Sequence, residues 1–264
     1  MTDTLVRTST DAAITTITLD SPANRNALSS TLVAQLRAAI DAAAADPAVR
    51  AVVLTHSGGT FCAGADLGEA LTRGLTPEEA TAEVGSTISG LIKSILELSK
   101  PVIAVIDGHV RAGGFGLVGA ADIAIAGPSS TFALTESRLG LAPSIISVVL
   151  LPKMTARAVG RYFLTGEKFD APTAVAAGLL TAAPEDAAGV AAELDAILEG
   201  VRKASPQGLA ASKKLTTASL LDGFDDAAAA RAAESMALFG SDDAREGMTA
   251  FLSKSRPSWD ASRA

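Results

Sequence analysis

The residues best able to do chemistry are two short runs of small side chains and one glutamate. Ala63-Gly64-Ala65-Asp66 and Ala112-Gly113-Gly114-Phe115-Gly116 each stand where an apolar run hands over to a helical pattern. Small residues let a ligand approach the backbone, and the unsatisfied N–H groups of a helix start turn a positive dipole end toward it. Each run is a candidate anion site. Each is equally a tight turn that permits close strand–helix packing, and a short motif alone does not choose between the two. Gly114, Gly116 and Gly119 also spell G-x-G-x-x-G, with Glu136 at roughly the distance of a ribose-binding acid. That fingerprint needs its turn directly at a strand end. Here His109-Val110-Arg111 separate the glycines from an apolar strand ending near Ile106, so a dinucleotide site and hydride chemistry are disfavoured.

The elements that must position these residues read as an α/β domain. Val6 to Thr8 and Ala13 to Leu19 are β-prone, with Ser9-Thr10-Asp11 as the turn between them. Ser29 or Ser30 caps a helix carrying Leu32, Leu36 and Ile40 that ends near Asp46-Pro47. Val52-Val53-Leu54 is a strand feeding the first small-residue run. Thr76-Pro77-Glu78-Glu79 starts a long helix through Ile88, Leu91, Ile92, Ile95 and Leu98. Val102 to Ile106 is a strand feeding the second run, and Ile123 to Ala126 is a further strand. From Thr155 onward the pattern is helical: Ala156 to Thr165, Ala171 to Ala177, Ala187 to Leu198, and about Asp225 to Phe239.

Composition narrows the partners. The 22 basic and 29 acidic residues among 264 give a net charge of −7, the wrong sign for a surface that neutralises phosphates, so no nucleic-acid partner is expected. No run of about 18 apolar residues suggests a membrane span, and the mean hydropathy of +0.33 reflects abundant alanine. A single cysteine, Cys62, excludes an internal disulfide, and His56 and His109 show no metal-ligand spacing, so no metal site is expected. Met1 to Thr10 lacks the apolar stretch of a signal peptide, and a cytoplasmic location is expected.

Several segments together resemble the crotonase family, the enoyl-CoA hydratase/isomerase superfamily. They are Asn24-Arg25-Asn26-Ala27-Leu28, Phe61-Cys62-Ala63-Gly64-Ala65-Asp66-Leu67, Lys100-Pro101-Val102-Ile103-Ala104 with the glycines after it, Ala121-Asp122-Ile123, Phe132 to Leu141, Leu164-Thr165-Gly166, Ala177-Gly178-Leu179 and Glu246 to Phe251. Their number, order and spacing cover nearly the whole chain. The resemblance implies a crotonase-like ββα spiral over residues 1–200 and a helical trimerisation region over 201–264, giving a homotrimer or a dimer of trimers. It implies an acyl-CoA thioester substrate, with coenzyme A part of the substrate and no separate cofactor. The oxyanion donors fall on the backbone amides of Ala63 and Gly113, and the acid/base on Glu136. Coenzyme A falls against Arg25, Ala27 and the segment Ala63, Gly64, Ala65 and Asp66, with Phe251 and Lys254 reaching a neighbouring subunit's coenzyme A.

One departure matters. Hydratases resembling this chain use two glutamates to hold one water, and the first of those positions, three residues beyond Gly113, is Gly116. The first reading is hydration of a trans-2-enoyl-CoA with Glu136 alone as acid and base, water being held near Gly116 or by Ser144 or Ser147. The alternatives are isomerisation of a 3-enoyl to a 2-enoyl-CoA, and acyl-CoA binding without turnover. Where space allows, a glutamate restored at 116 is expected to raise water addition. His109, Arg111 and Arg138 read first as packing or solvated residues, with Arg138 placed to meet a carboxylated acyl chain. The walls of the acyl pocket are expected in 67–85 and 142–151.

Overall fold

The computed structural model describes residues 3–66, 68, 69, 73 and 77–262. The expected helix cap at Thr76, Leu67 of the first motif and part of the 67–85 pocket wall lie outside the described residues. The chain begins with a hairpin, β1 (Val6–Asp11) and β2 (Ile14–Leu19), whose register pairs Asp11 with Ile14. The turn is therefore Ala12-Ala13, both at positive φ (44° and 66°), and not Ser9 to Asp11 as expected. A two-residue hairpin turn needs positive φ at both positions to match strand twist. Alanine gives no sign of it, and the register that buries Ile14, Ile17 and Leu19 overrides the local preference.

α1 (Ser30–Ala45) follows, with the Ser29 hydroxyl accepting from the Leu32 amide at 3.3 Å as the cap. Three successive units then repeat one plan: a long strand, a short strand, a helix. They are β3 (Ala51–His56), β4 (Thr60–Cys62) and α2 (Pro77–Glu97); β5 (Val102–Ile106), β6 (His109–Arg111) and α3 (Gly113–Ala120); and β7 (Ile123–Ala126), β8 (Thr131–Ala133) and α4 (Ser144–Lys153), the last reached through a 3-10 turn at Glu136–Leu139. The long strands form one sheet in the order β1-β2-β3-β5-β7, and the short ones join β9 (Phe169–Asp170) in a second, β4-β6-β8-β9. This is the ββα spiral that the resemblance implied. The three-residue strands had no visible period in the sequence.

α5 (Ala156–Thr165) precedes β9, and α6 (Ala171–Ala176), α7 (Ala187–Lys203), α8 (Pro206–Leu221), α9 (Phe224–Phe239) and α10 (Asp242–Ser253) complete the chain. The main core lies where the first sheet meets α1, α2, α3 and α4, with Leu32, Leu36, Leu91, Ile92, Ile95 and Phe115 fully buried. The opposite face carries a smaller cluster in which Leu198 and Val201 of α7 cover Ile14, Val53 and Ile103. α9 packs on α2 and α4, and α10 packs on the Glu136–Leu139 turn of the same chain. Among the described residues, no helix is long and apolar enough to cross a membrane.

Candidate active site

Three adjacent parallel strands hand over to the candidate residues side by side. β6 lies between β4 and β8, with Cys62 opposite Val110 and Val110 opposite Phe132. The chain leaves β4 into 63–66, leaves β6 into 112–116, and leaves β8 into Glu136. Neighbouring strands stand about 4.8 Å apart, so these exits form a row along the carboxyl ends of one parallel sheet, where α/β folds place ligands.

The loops in that row are locked backbone to backbone. Asn26, fully buried and at φ 52°, accepts from the Ser21 amide at 2.7 Å through its carboxamide oxygen. Its NH2 donates to the Ser57 and Thr60 carbonyls at 3.0 and 2.7 Å, fixing the Arg25–Leu28 loop to β4. The Leu28 amide donates to the Gly64 carbonyl at 2.7 Å, and Leu28 bridges Ala65 as an isolated parallel pair. Gly64 is at φ +95°. A Cβ there would stand 2.6 Å from the Ala112 Cβ and 3.2 Å from the Gly113 amide nitrogen. The two small-residue runs, 49 positions apart in sequence, thus meet with only the Ala112 methyl at the contact. Ala112 sits at φ 44° and ψ −123°, a conformation that costs an L-residue about 1–3 kcal/mol and that persists only where its surroundings hold it.

This geometry corrects one expectation. The Ala63 amide donates to the Arg25 carbonyl at 3.1 Å, so it is committed within the loop and is not a free donor. Leu28 donates to Gly64 in the parallel pairing, so the Ala65 amide turns to the opposite side of its strand, by the alternation of extended chain. Nothing in residue type distinguishes Ala63 from Ala65; the pairing with Leu28 does. Gly113 opens α3, where the first N–H groups have no intrahelical acceptor.

Glu136 opens the turn after β8, and its backbone carbonyl accepts from the Leu141 amide at 2.9 Å. Its side chain is largely buried, and Oε2 is enclosed without a hydrogen-bond partner. Burial pushes the carboxyl up to about 7, because the charged form loses its water. A carboxyl poised there exists in both protonation states at neutral pH.

Gly116, where the resemblance implied a second carboxylate, is tightly surrounded by apolar side chains. A Cβ on Gly116 would stand 3.0 Å from Ile92 Cδ1 and 3.1 Å from Ile146 Cγ2. A glutamate there would start between two isoleucine side chains that must each give way by a few tenths of an ångström, and burying its charge beside them is costly. Gly114 and Gly119 are likewise packing glycines: a Cβ on either would meet Cys62 or Val149 at 2.9 Å. The Ser147 hydroxyl is committed to the Ser144 carbonyl at 2.6 Å. His109 is exposed and pairs with Thr131 Oγ1 at 2.9 Å, and Arg138 gives its Nε to the Thr165 carbonyl at 2.8 Å. Cys62 is buried, its thiol pushed up to about 12.

A cavity of about 240 Å³ opens beside the locked loops, between α1 and α2. Leu28, Ala65 and Asp66 border it, as does Ile88, whose Cδ1 a Cβ on Gly113 would meet at 2.9 Å. Asp66 accepts from the Asn24 side-chain amide at 2.7 Å. Of the other residues expected at the site, Arg25 and Ala27 lie on the loop beside Gly64. Phe251 and Lys254 lie exposed at the end of α10. The sequence reading missed Asn26 as the loop's anchor and Ile92 and Ile146 as the wall at Gly116. The role of Asn26 had no local signal, since its burial and its partners at Ser57 and Thr60 are set by a distant segment.

A family model describing enoyl-CoA hydratase/isomerase matches residues 9–262. The crystal structure of an enoyl-CoA hydratase from Mycobacterium avium is 54% identical, with a TM-score of 0.90 over 98% of this chain and 100% of that one. An enoyl-CoA hydratase/isomerase from Marinobacter aquaeolei is 31% identical, with a TM-score of 0.76 over 97% and 98% of the two chains. Carnitinyl-CoA dehydratase of Proteus mirabilis is 31% identical over 220 residues, 81% of this chain and 82% of its own. The chain belongs to the enoyl-CoA hydratase/isomerase family.

Proposed function

We propose that the protein is an enoyl-CoA hydratase in which one carboxyl, Glu136, moves both protons. The supporting observation is the row of three adjacent parallel strand ends, which carries Ala65, Gly113 and Glu136 to one side of the short-strand sheet. In this reading the amides of Ala65 and Gly113 hold the thioester oxygen. Water adds to C3 of a trans-2-enoyl-CoA and gives a proton to the Glu136 carboxylate. The electron pair of the double bond moves onto the thioester oxygen as an enolate, and C2 then takes a proton from the Glu136 carboxyl. Fixed amides stabilise that enolate without reorganising, each worth about 10²–10³ in rate. The relatives' names support hydration. Coenzyme A enters as part of the substrate, and the chemistry calls for no other cofactor.

The apolar wall of Ile92 and Ile146 favours a second reading. With no second carboxylate to hold water, Glu136 would take a proton from C2 of a 3-enoyl-CoA and return it to C4, giving the 2-enoyl-CoA. Phe251 and Lys254, exposed on α10, are assigned by the same family reading to a neighbouring copy's coenzyme A in a trimer or a dimer of trimers.

The conjugated thioester absorbs near-ultraviolet light, and its change tells the readings apart. Loss of absorbance from crotonyl-CoA supports hydration, and a gain from a 3-enoyl-CoA supports isomerisation. In either case Glu136→Gln is expected to lower kcat by about 10²–10⁴. Undiminished turnover in that variant removes Glu136 from the mechanism.

A further inference from the structure

The cavity between α1 and α2 has a charged wall that the acyl-CoA reading leaves unused. We propose that it takes an acyl chain ending in a carboxylate, held by Arg37; the assignment rests on the acyl-CoA reading above. Leu28, Val33, Val84 and Ile88 give the cavity an apolar lining suited to a hydrocarbon stem. Its border with Ala65 places one end beside the amide assigned to the thioester. Its carboxylates are already engaged. Asp66 accepts from Asn24 and from the Glu69 amide at 3.1 Å, Glu69 takes the Ser30 amide at 2.7 Å together with the Ser30 hydroxyl, and Glu83 pairs with Arg73. Among the described residues, Arg37 is the lining charge with no carboxylate partner.

The guanidinium has a built seat. Its Nη2 lies 2.0 Å from where a Cβ on Gly90 would stand, so the head group rests against the α2 backbone in space that only glycine leaves open. Arg37 is seven residues along α1 from Ser30, about 10 Å along the helix axis, and so lies well down the groove from the thioester end. Arg37 is exposed, so beside a methyl-ended chain this cation keeps only water. A carboxylate-ended chain of suitable length places two oxygens against a planar fork of N–H donors, the pairing guanidinium groups make best. Arg138, the arginine singled out from sequence for such a chain, is instead held by the Thr165 carbonyl.

Calorimetric titration with two saturated acyl-CoA esters of equal chain length, one ending in carboxylate and one in methyl, tests the assignment without needing turnover. The unmodified protein is expected to bind the carboxylate ester about tenfold tighter. Arg37→Gln should abolish the difference and leave the methyl ester unchanged. Gly90→Ala should do the same while keeping the guanidinium, because it removes the seat, and alanine favours the helix, so folding is not at risk. Equal affinity of the unmodified protein for both esters overturns the assignment. So does a variant that weakens both esters alike, since Arg37 would then serve the coenzyme A portion. Absence of binding by either ester overturns the acyl-CoA reading itself and the assignment with it.

Discussion

A carboxyl group that ionises near neutrality in the folded chain but near pH 4.5 when unfolded makes stability depend on pH, and Glu136 is such a group. Below pH 4.5 both states hold the proton. Between there and about 7 the unfolded chain releases it while the folded chain keeps it, so stability falls as pH rises and stays lower above 7. The deficit is about 3 kcal/mol at pH 8, from about 1.4 kcal/mol per pH unit. Glu136→Gln, uncharged at every pH, should therefore show a higher urea midpoint than the unmodified protein at pH 8, with the gain gone at pH 4. The same gain at both pH values would mean that the carboxyl is not desolvated. The motifs made legible that Glu136 and Gly113 would follow strands, and the structure puts those strands side by side. That the Ala63 amide is committed was not legible, because it is set by the Arg25 carbonyl and the Leu28 amide, contacts between segments far apart in the chain.

At the scale of elements, α10 meets the turn that carries Glu136 through two glycines. A Cβ on Gly247 would lie 2.6 Å from the Leu139 carbonyl carbon, and one on Gly140, at φ +72°, would lie 2.6 Å from that of Asp243. Helix and turn touch along their main chains, so a methyl group must move one of them. Gly247→Ala improves helix propensity yet should lower kcat at least tenfold and shift the acid limb of the kcat–pH profile below 7 as water reaches the carboxyl. Gly200→Ala on α7, where a Cβ meets nothing within 4 Å, is the matched control and should change neither. A stability loss in Gly247→Ala with an unshifted pH profile would make the contact structural only. α1, α2 and the long strands could be read from caps, prolines and apolar periods. β4, β6 and β8 could not: three residues show no period, and each is a strand only because its neighbours supply the ladder.

At the scale of the molecule, one buried ion pair ties the C-terminal helices to the sheet. Lys213 of α8, 3% exposed at its side chain, reaches Asp122 at 2.8 Å and donates to the Ile95 and Lys100 carbonyls at 2.8 and 3.0 Å. Asp122 also accepts from the Val102 amide at 2.7 Å. Burial pulls the ammonium down and Asp122 partly restores it. Lys213→Met leaves that carboxylate without its cation and should cost about 3–5 kcal/mol in denaturant unfolding, an effect that paired replacement of both residues should recover in large part. A loss under 1 kcal/mol would show that α8 is held by its apolar contacts alone. Nothing local in the sequence marks Lys213 as buried, since no nearby residue says that its helix lies over the sheet's end.

The junction of Gly64, Ala112 and Gly113 carries a consequence for how such a molecule can diversify. Because two glycines and a single alanine methyl meet there, no rotamer change can widen or narrow the distance between the two loops. Leu28 and Ile88 line the groove and also pack on Gly113, so on the acyl-CoA reading it is positions farther along, such as Val33 and Arg37, that can alter which tails are admitted while the junction keeps its dimensions. On that reading, tail selectivity can be re-tuned across generations at the far end of the groove without disturbing the loops' junction.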